Sequence, residues 1–139
     1  MLHKLLEKIK NNCIITKELF DNYNLDDVLN LRNNDIFDSK WIELYNSLEK
    51  LEISNDNLKL IDEIRKEVFI KSCNISEDSE IASYISDDFE LICKAYIFNI
   101  NNNWLNSIIY LYANNIIPYG NIDVRESNIK EILNQLLNK

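Results

Sequence analysis

Glycine and proline are almost missing from this sequence: its 139 residues include one of each, Gly120 and Pro118. Phosphate-binding glycine loops are therefore excluded, and hairpin-rich β folds are disfavoured, because tight primed turns need residues that accept a positive φ. We expect Asn, Asp and Ser to form nearly all the other turns. The long stretches without breakers predict an all-α, single-domain bundle of about six to eight helices over residues 1–139.

Histidine and cysteine are also scarce. The single histidine is His3, and the three cysteines, Cys13, Cys73 and Cys93, lie far apart in no CxxC arrangement. This pattern argues against a disulfide scaffold, a zinc site and a Cys/His or Ser/His catalytic pair. We therefore expect no metal, no cofactor and no enzymatic activity, and we expect the cysteines to be small core or near-surface residues.

The sequence also lacks long hydrophobic runs. No stretch approaches the roughly 18 to 20 apolar residues that a membrane span requires, and the first residues are amphipathic rather than signal-like. The overall hydrophobic content of 46% is nevertheless high enough to build a core. These features predict a cytoplasmic protein with no membrane partner.

Negative charge is unevenly distributed along the chain, which has a net charge of −8. Residues 77–90 contain six acids and no Lys or Arg, namely Glu77, Asp78, Glu80, Asp87, Asp88 and Glu90. A second acidic segment, residues 21–38, contains Asp21, Asp26, Asp27, Asp35 and Asp38 against Arg32 alone. Because phosphate contacts need clustered cations, direct nucleic-acid binding is disfavoured and a basic protein partner is favoured.

Apolar residues recur at helical spacing through most of the chain. The corresponding helices are predicted over residues 2–9, 37–51, 58–69, 81–96, 104–112 and 129–136, with a short helix between Asn24 and Leu31. Ser54 and the three residues after it are predicted to interrupt the helical pattern between residues 51 and 58. Pro118 and Gly120 are predicted to form a turn. Asp123 and Glu126 resemble a capping pair for the last helix.

Asp88 does not fit the polar side of its predicted helix, because it falls within about 50° of the apolar centre. Two alternatives follow. Either Asp88 points inward to cap a neighbouring helix or loop, or Ser86 starts a new helix with Asp87 and Asp88 in its first turn. In both cases adjacent carboxylates diverge by about 100° on a helix, which disfavours a shared catalytic or metal-binding role.

Aromatic residues cluster near the only proline. Helical spacing predicts that Trp104 and Tyr112 belong to the core. Tyr110 lies away from that stripe and Tyr119 lies on the turn between Pro118 and Gly120. Tyr110 and Tyr119 are therefore the better candidates for contact with a partner.

One part of the sequence resembles a known family. Residues 86–92, Ser-Asp-Asp-Phe-Glu-Leu-Ile, are followed by Trp104-Leu105-Asn106, Tyr112 and Ile117-Pro118. This pattern, over roughly residues 82–120, resembles small bacterial immunity proteins encoded beside contact-dependent growth inhibition and other polymorphic toxins. The resemblance implies a non-catalytic protein that binds one cognate toxin domain, often a nuclease, and neutralises it.

The resemblance transfers no particular binding residues, so the toxin contacts are our own hypothesis. We expect them among the clustered acids and the turn tyrosine: Glu77, Asp78, Glu80, Asp87, Glu90 and Tyr119. Two alternatives remain open at this point. An acidic helical adaptor or regulatory subunit would use the uncharged aromatic segment to self-associate, and a nucleic-acid mimic would bind many basic proteins.

Overall fold

Helices account for the regular structure in a computed structural model of the chain, which describes residues 1–21 and 23–139. Within these residues there are eight helices and no strand, so the predicted all-α bundle is confirmed. The helices are α1 (Leu2–Lys10), α2 (Lys17–Asp21), α3 (Leu25–Arg32), α4 (Asp35–Glu49), α5 (Asn55–Ser76), α6 (Ser79–Ile97), α7 (Asn103–Ala113) and α8 (Ile129–Leu137).

The two longest helices, α5 and α6, pack against each other and form the centre of the bundle. On either side, α1 packs on α5 and α4 packs on α6, while α7 pairs with α8. All eight helices contribute to one apolar core, in which Ile64, Phe89 and Leu133 are completely buried. No helix in the described ranges is both long and apolar enough to cross a bilayer.

Polar side chains with short stems begin most of the helices. Each accepts a hydrogen bond from a backbone N–H of the first turn, which otherwise has no partner inside the helix. The capping residues are Asn24 for α3, Asn34 for α4, Ser54 for α5, Asp78 for α6, Asn102 for α7 and Asn128 for α8. The abundance of Asn therefore has a structural use in this fold.

Asparagine also takes the place of glycine where helices end. Asn12, Asn99 and Asn115 follow α1, α6 and α7 with φ values of 61°, 51° and 59°. Asn tolerates this left-handed region better than other residues with a Cβ atom. Asn thus occupies three of the four non-glycine positions with a positive φ among the described residues, the fourth being Glu77, and Gly120, with φ 70°, forms the predicted turn after Pro118.

Two expectations and one of the alternatives about helix starts are wrong. α5 begins at Asn55 with Ser54 as its cap, so the three residues after Ser54 are helical and do not interrupt the helices. α6 runs unbroken from Ser79 to Ile97, so no helix starts at Ser86, whose hydroxyl instead donates to the Arg65 carbonyl oxygen at 3.0 Å. α8 begins at Ile129 with Asn128 as its cap, so Asp123 and Glu126 do not cap it. The backbone N–H of Ile129 also donates to Asn101 Oδ1 at 2.7 Å, a tertiary contact that fixes this helix start.

Candidate functional site

The Asp88 carboxylate lies in α6 and is buried at 1% exposure. Arg32 holds it with two hydrogen bonds, from Nη2 to Oδ1 at 2.7 Å and from Nη1 to Oδ2 at 2.8 Å. Trp41 Nε1 donates to Oδ1 at 3.0 Å, and the Tyr112 hydroxyl donates to Oδ2 at 2.5 Å. We call these four side chains the Asp88 network, and it joins α3, α4, α6 and α7.

Arg32 is the other buried charge of the Asp88 network. It is the last residue of α3, and its Nη1 also donates to the Pro118 carbonyl oxygen at 3.1 Å. Its guanidinium lies 4.5 Å from the centre of the Phe37 ring and 5.2 Å from that of Tyr84. Burial by itself lowers the pKa of Arg32, but the charge and hydrogen bonds of Asp88 more than offset this and raise it.

The Asp88 network is suited to holding the bundle together rather than to chemistry. An ionised carboxylate has about four lone-pair positions, and the donors of Arg32, Trp41 and Tyr112 use all four. Burial and the negative charge of Asp88 raise the pKa of Tyr112 well above its usual value. Tyr112 therefore stays a hydrogen-bond donor to Asp88 at ordinary pH.

The structure selects between the alternatives for Asp88. Its side chain points inward, as the first alternative states, but it pairs with Arg32 instead of capping a helix or loop. Asp87 points elsewhere, so the predicted divergence of the two carboxylates is confirmed. Sequence reasoning missed Arg32 and Trp41 as partners, because the only available signal was an acid close to an apolar helix face.

A cleft opens between α4 and α6, directly outside the Asp88 network. We call it the α4–α6 cleft; it has a volume of about 120 Å³ and is lined by Arg32, Asn33, Phe37, Asp38, Trp41, Ile42, Tyr84 and Asp87. The Tyr84 hydroxyl donates to Asn33 Oδ1 at 3.0 Å. This contact joins the end of α3 to α6, so the acidic segments 21–38 and 77–90 adjoin in space.

Three of the proposed contact residues lie at or beside the short connection between α5 and α6. Glu77 is exposed and occupies the left-handed C-cap of α5 with φ 57°. Asp78 is half-buried, and its Oδ1 accepts from the backbone N–H groups of Glu80 and Ile81. Glu80 is exposed. Asp78 therefore has a structural role as the cap of α6, whereas Glu77 and Glu80 are exposed, with the Tyr84 hydroxyl 3.5 Å from Glu80 Oε1.

Asp87 and Glu90 have counterions that their own segment does not supply. Arg65 of α5 contacts Asp87 Oδ1 at 2.6 Å and Glu90 Oε2 at 3.3 Å. Lys94, only 7% exposed, contacts Glu90 at 3.2 Å and Glu49 of α4 at 3.0 Å. Burial raises the pKa of Asp87, although Arg65 partly offsets that effect. The acidic segment is thus less unbalanced in the fold than in the sequence.

The aromatic side chains near Pro118 differ in burial. Trp104 and Tyr112 are buried, so their assignment to the core is confirmed. Tyr119 is half-buried and packs edge to face on Tyr23, with ring centroids 6.0 Å apart. Tyr119 lies beyond the α4–α6 cleft, which it does not line.

The residues that carried the family resemblance mostly form the inner framework of the bundle. Buried members include Asp88, Phe89, Trp104, Asn106, Tyr112 and Ile117. Asp87 and Glu90 of the same motif are only partly buried. A pattern of this kind identifies a shared fold, because it records how the helices pack, and it leaves the outer surface free to vary.

This small helical framework is held by a buried ion pair and has acidic side chains on its surface. A family model described as Immunity protein PIM1 matches residues 4–119, and the chain belongs to this family. It is therefore an immunity protein, a class that implies a cognate toxin as partner. No curated protein matches the chain significantly.

Proposed function

We propose that the protein binds one basic toxin domain, most simply a nuclease of a contact-dependent growth inhibition or other polymorphic toxin system, and neutralises it stoichiometrically in the cytoplasm. The observation that carries this proposal is the family match over residues 4–119. Neutralisation needs binding alone, with no cofactor and no catalysis by the immunity protein. Residues 1–139 act together in this proposal, since α8 lies beyond the matched range yet shares the core.

Charge supports a basic partner. The chain has a net charge of −8, and its two acidic segments adjoin through Tyr84 and Asn33. A nuclease holds phosphates with cationic side chains, so its active-site surface complements an acidic face. Such complementarity raises association rates toward about 10⁸ to 10⁹ M⁻¹s⁻¹ at low salt.

The proposed contacts differ in how freely they can meet a toxin. Glu77 and Glu80 are exposed, which leaves them available for new ion pairs. Asp87 and Glu90 share Arg65, so they offer a partner less net charge. Asp78 and Tyr119 complete the proposed surface, although each also has an intramolecular contact. Glu77 and Glu80 are therefore the best positions for a first test.

The test is co-expression with the toxin-like C-terminal domain encoded immediately upstream of the chain's own gene. Host survival is scored first, and a 1:1 complex is then sought by affinity pull-down and size exclusion. Rescue with complex formation is the expected result. If the unaltered protein neither rescues growth nor binds this domain, the proposal is wrong.

Two variants examine the acidic face in the same assay. Glu77→Lys with Glu80→Lys reverses two exposed charges and should slow association, most strongly at low salt. The control is Glu7→Lys on α1, another exposed acid, on a helix that packs against α5 and α8. If the double variant Glu77→Lys, Glu80→Lys associates as fast as the Glu7→Lys control, Glu77 and Glu80 are excluded from the interface.

The purified protein also distinguishes an immunity protein from the two alternatives, a nucleic-acid mimic and an adaptor. A nucleic-acid mimic would capture several unrelated basic nucleases, whereas an immunity protein should discriminate sharply among them. An adaptor that self-associates would show a concentration-dependent elution volume in the absence of toxin. A single monomeric species that binds only the neighbouring toxin domain is expected.

A further inference from the structure

We propose that the α4–α6 cleft receives one lysine or arginine side chain of the toxin and forms the centre of the interface. This inference rests on the function proposed above and adds the place and chemistry of the contact. The cleft combines a shaped cavity, aromatic walls and two carboxylates. Interface hot spots are typically small, well-packed pockets of this kind, each filled by one long side chain.

The walls of the cleft are fixed before any partner arrives. The indole N–H of Trp41 is bound to the buried Asp88, and the hydroxyl of Tyr84 is bound to Asn33. Side chains that are already ordered lose little conformational entropy on binding, which favours affinity. The volume of about 120 Å³ is close to that of an engineered cavity of about 150 Å³ that holds benzene. It therefore has room for one extended side chain.

The charges around the cleft favour a cation. Arg32 lines the cleft, but its charge is compensated by Asp88, to which it donates two hydrogen bonds. Asp87 shares Arg65, whereas Asp38 takes part in none of the ion pairs found among the described residues. A toxin cation placed here would gain an unshared carboxylate from Asp38, which is half-buried and so less screened than an exposed acid.

The apolar and aromatic side chains suit the rest of such a residue. The methylene stem of Lys or Arg can cover Ile42, which is 45% exposed in the free protein. The rings of Trp41 and Tyr84 also line the cleft, although Tyr45 stacks on Trp41 and Arg32 already lies 5.2 Å from the centre of the Tyr84 ring. Leu31 and Ile36, the residues that precede the cleft-lining Arg32 and Phe37 in the chain, are also 40% and 55% exposed. Exposed apolar side chains beside an acidic cavity are the pattern expected of a protein contact surface.

The experiment measures association and dissociation rates of the purified protein with the neighbouring toxin domain, held inactive by a substitution in its own catalytic site. Asp38→Lys removes the free carboxylate, and Ile42→Lys places a positive charge at the mouth of the cleft. Matched controls are Glu7→Lys, with the same charge change, and Ile70→Lys on α5, with a similarly exposed isoleucine at 38%. Circular dichroism and thermal midpoints check that all four variants remain folded.

Both cleft variants should weaken binding at least tenfold, and both controls should bind within about twofold of the unaltered protein. A Lys or Arg to Glu substitution on the toxin should restore part of the affinity for Asp38→Lys and should weaken binding to Glu7→Lys, which keeps the Asp38 carboxylate. If the unaltered protein binds the toxin and the cleft variants bind equally well, the cleft assignment is overturned while the immunity function stands. If the unaltered protein does not bind, both proposals fail.

Discussion

Arg32 and Asp88 lie 56 residues apart in the chain and form a buried ion pair with two hydrogen bonds of 2.7 and 2.8 Å. Their side chains are 4% and 1% exposed. A charge pair so far from water is tolerated only when its hydrogen bonds are complete, because the desolvation cost of each ion is large. Trp41 and Tyr112 supply the remaining donors to the carboxylate.

Substitutions of Arg32 and Asp88 should have strongly non-additive effects on stability. Arg32→Met or Asp88→Leu leaves an uncompensated buried charge and should lower the free energy of unfolding by about 3 to 5 kcal/mol. The double variant should lose much less than the sum of the two single losses. Urea unfolding followed by circular dichroism gives all three values, and strictly additive losses would contradict the pairing.

The Tyr112 hydroxyl should contribute measurably to stability by itself. Tyr112→Phe keeps the ring, which packs on Phe89 with centroids 5.2 Å apart, and removes one donor to Asp88. A hydrogen bond to a charged group contributes about 1.5 to 3 kcal/mol, and we expect a loss in that range. Tyr110→Phe is the control, since Tyr110 is half-buried outside the Asp88 network, and it should change the unfolding free energy by less than about 0.5 kcal/mol.

Cys93 should make the protein less stable at alkaline pH. Burial, and to a lesser degree the charge of Glu90, raises the pKa of its thiol from 9.0 to about 12. Between these values the unfolded chain loses the thiol proton while the folded chain keeps it, so the stability contribution falls as pH rises above about 9. Unfolding free energies measured from pH 8 to 11 should fall more steeply for the unaltered protein than for Cys93→Ala.

Thiol labelling provides an independent check on Cys93. A thiol reagent at pH 8 should modify the half-buried Cys13 and Cys73 well before Cys93, which should react only after the chain unfolds. Peptide mass analysis assigns the modified residue at each time. Equal rates at all three cysteines would show that α6 opens far more readily than its burial indicates.

Glu77 should be a position where stability can be increased. It has a positive φ of 57° at the C-cap of α5, a conformation that costs a residue with a Cβ atom roughly 1 kcal/mol or more. Glu77→Gly should therefore raise the free energy of unfolding by about 1 kcal/mol, whereas Glu77→Ala, which keeps the strain, should not. Thermal unfolding of both variants separates the effect of the backbone from that of the lost charge.

Short-range chemistry explains why the sequence predicted the fold class so well. Helix periodicity and capping depend on residues a few positions apart, so Asn24 could be assigned to a helix start directly. Ser54 was predicted only as part of an interruption, whereas it caps α5. Asp123 and Glu126 matched the same local rule and were wrong. The cap of α8 is Asn128, which also fits the local rule, and Asn101 adds a contact to the first N–H of α8 from 28 residues away.

The candidate site was only partly predictable for the same reason. The sequence located the acids at 77–90, but their counterion Arg65 comes from another helix. The α4–α6 cleft is also a product of assembly, since Asp38 and Asp87 lie on different helices and become neighbours only when α4 packs on α6. Neither the Arg65 ion pairs nor the cleft can be predicted from residue spacing or composition.

The sequence alone determined that the protein is helical and acidic, and that its turns depend on Asn in the near absence of Gly. These properties follow from composition and local periodicity, which act within a few residues. Tertiary structure alone decided that Asp88 is buried against Arg32, that Asp87 is paired with Arg65, and that a cleft opens beside Trp41. Burial and charge compensation depend on which helices pack together, and packing joins residues that are distant in the chain.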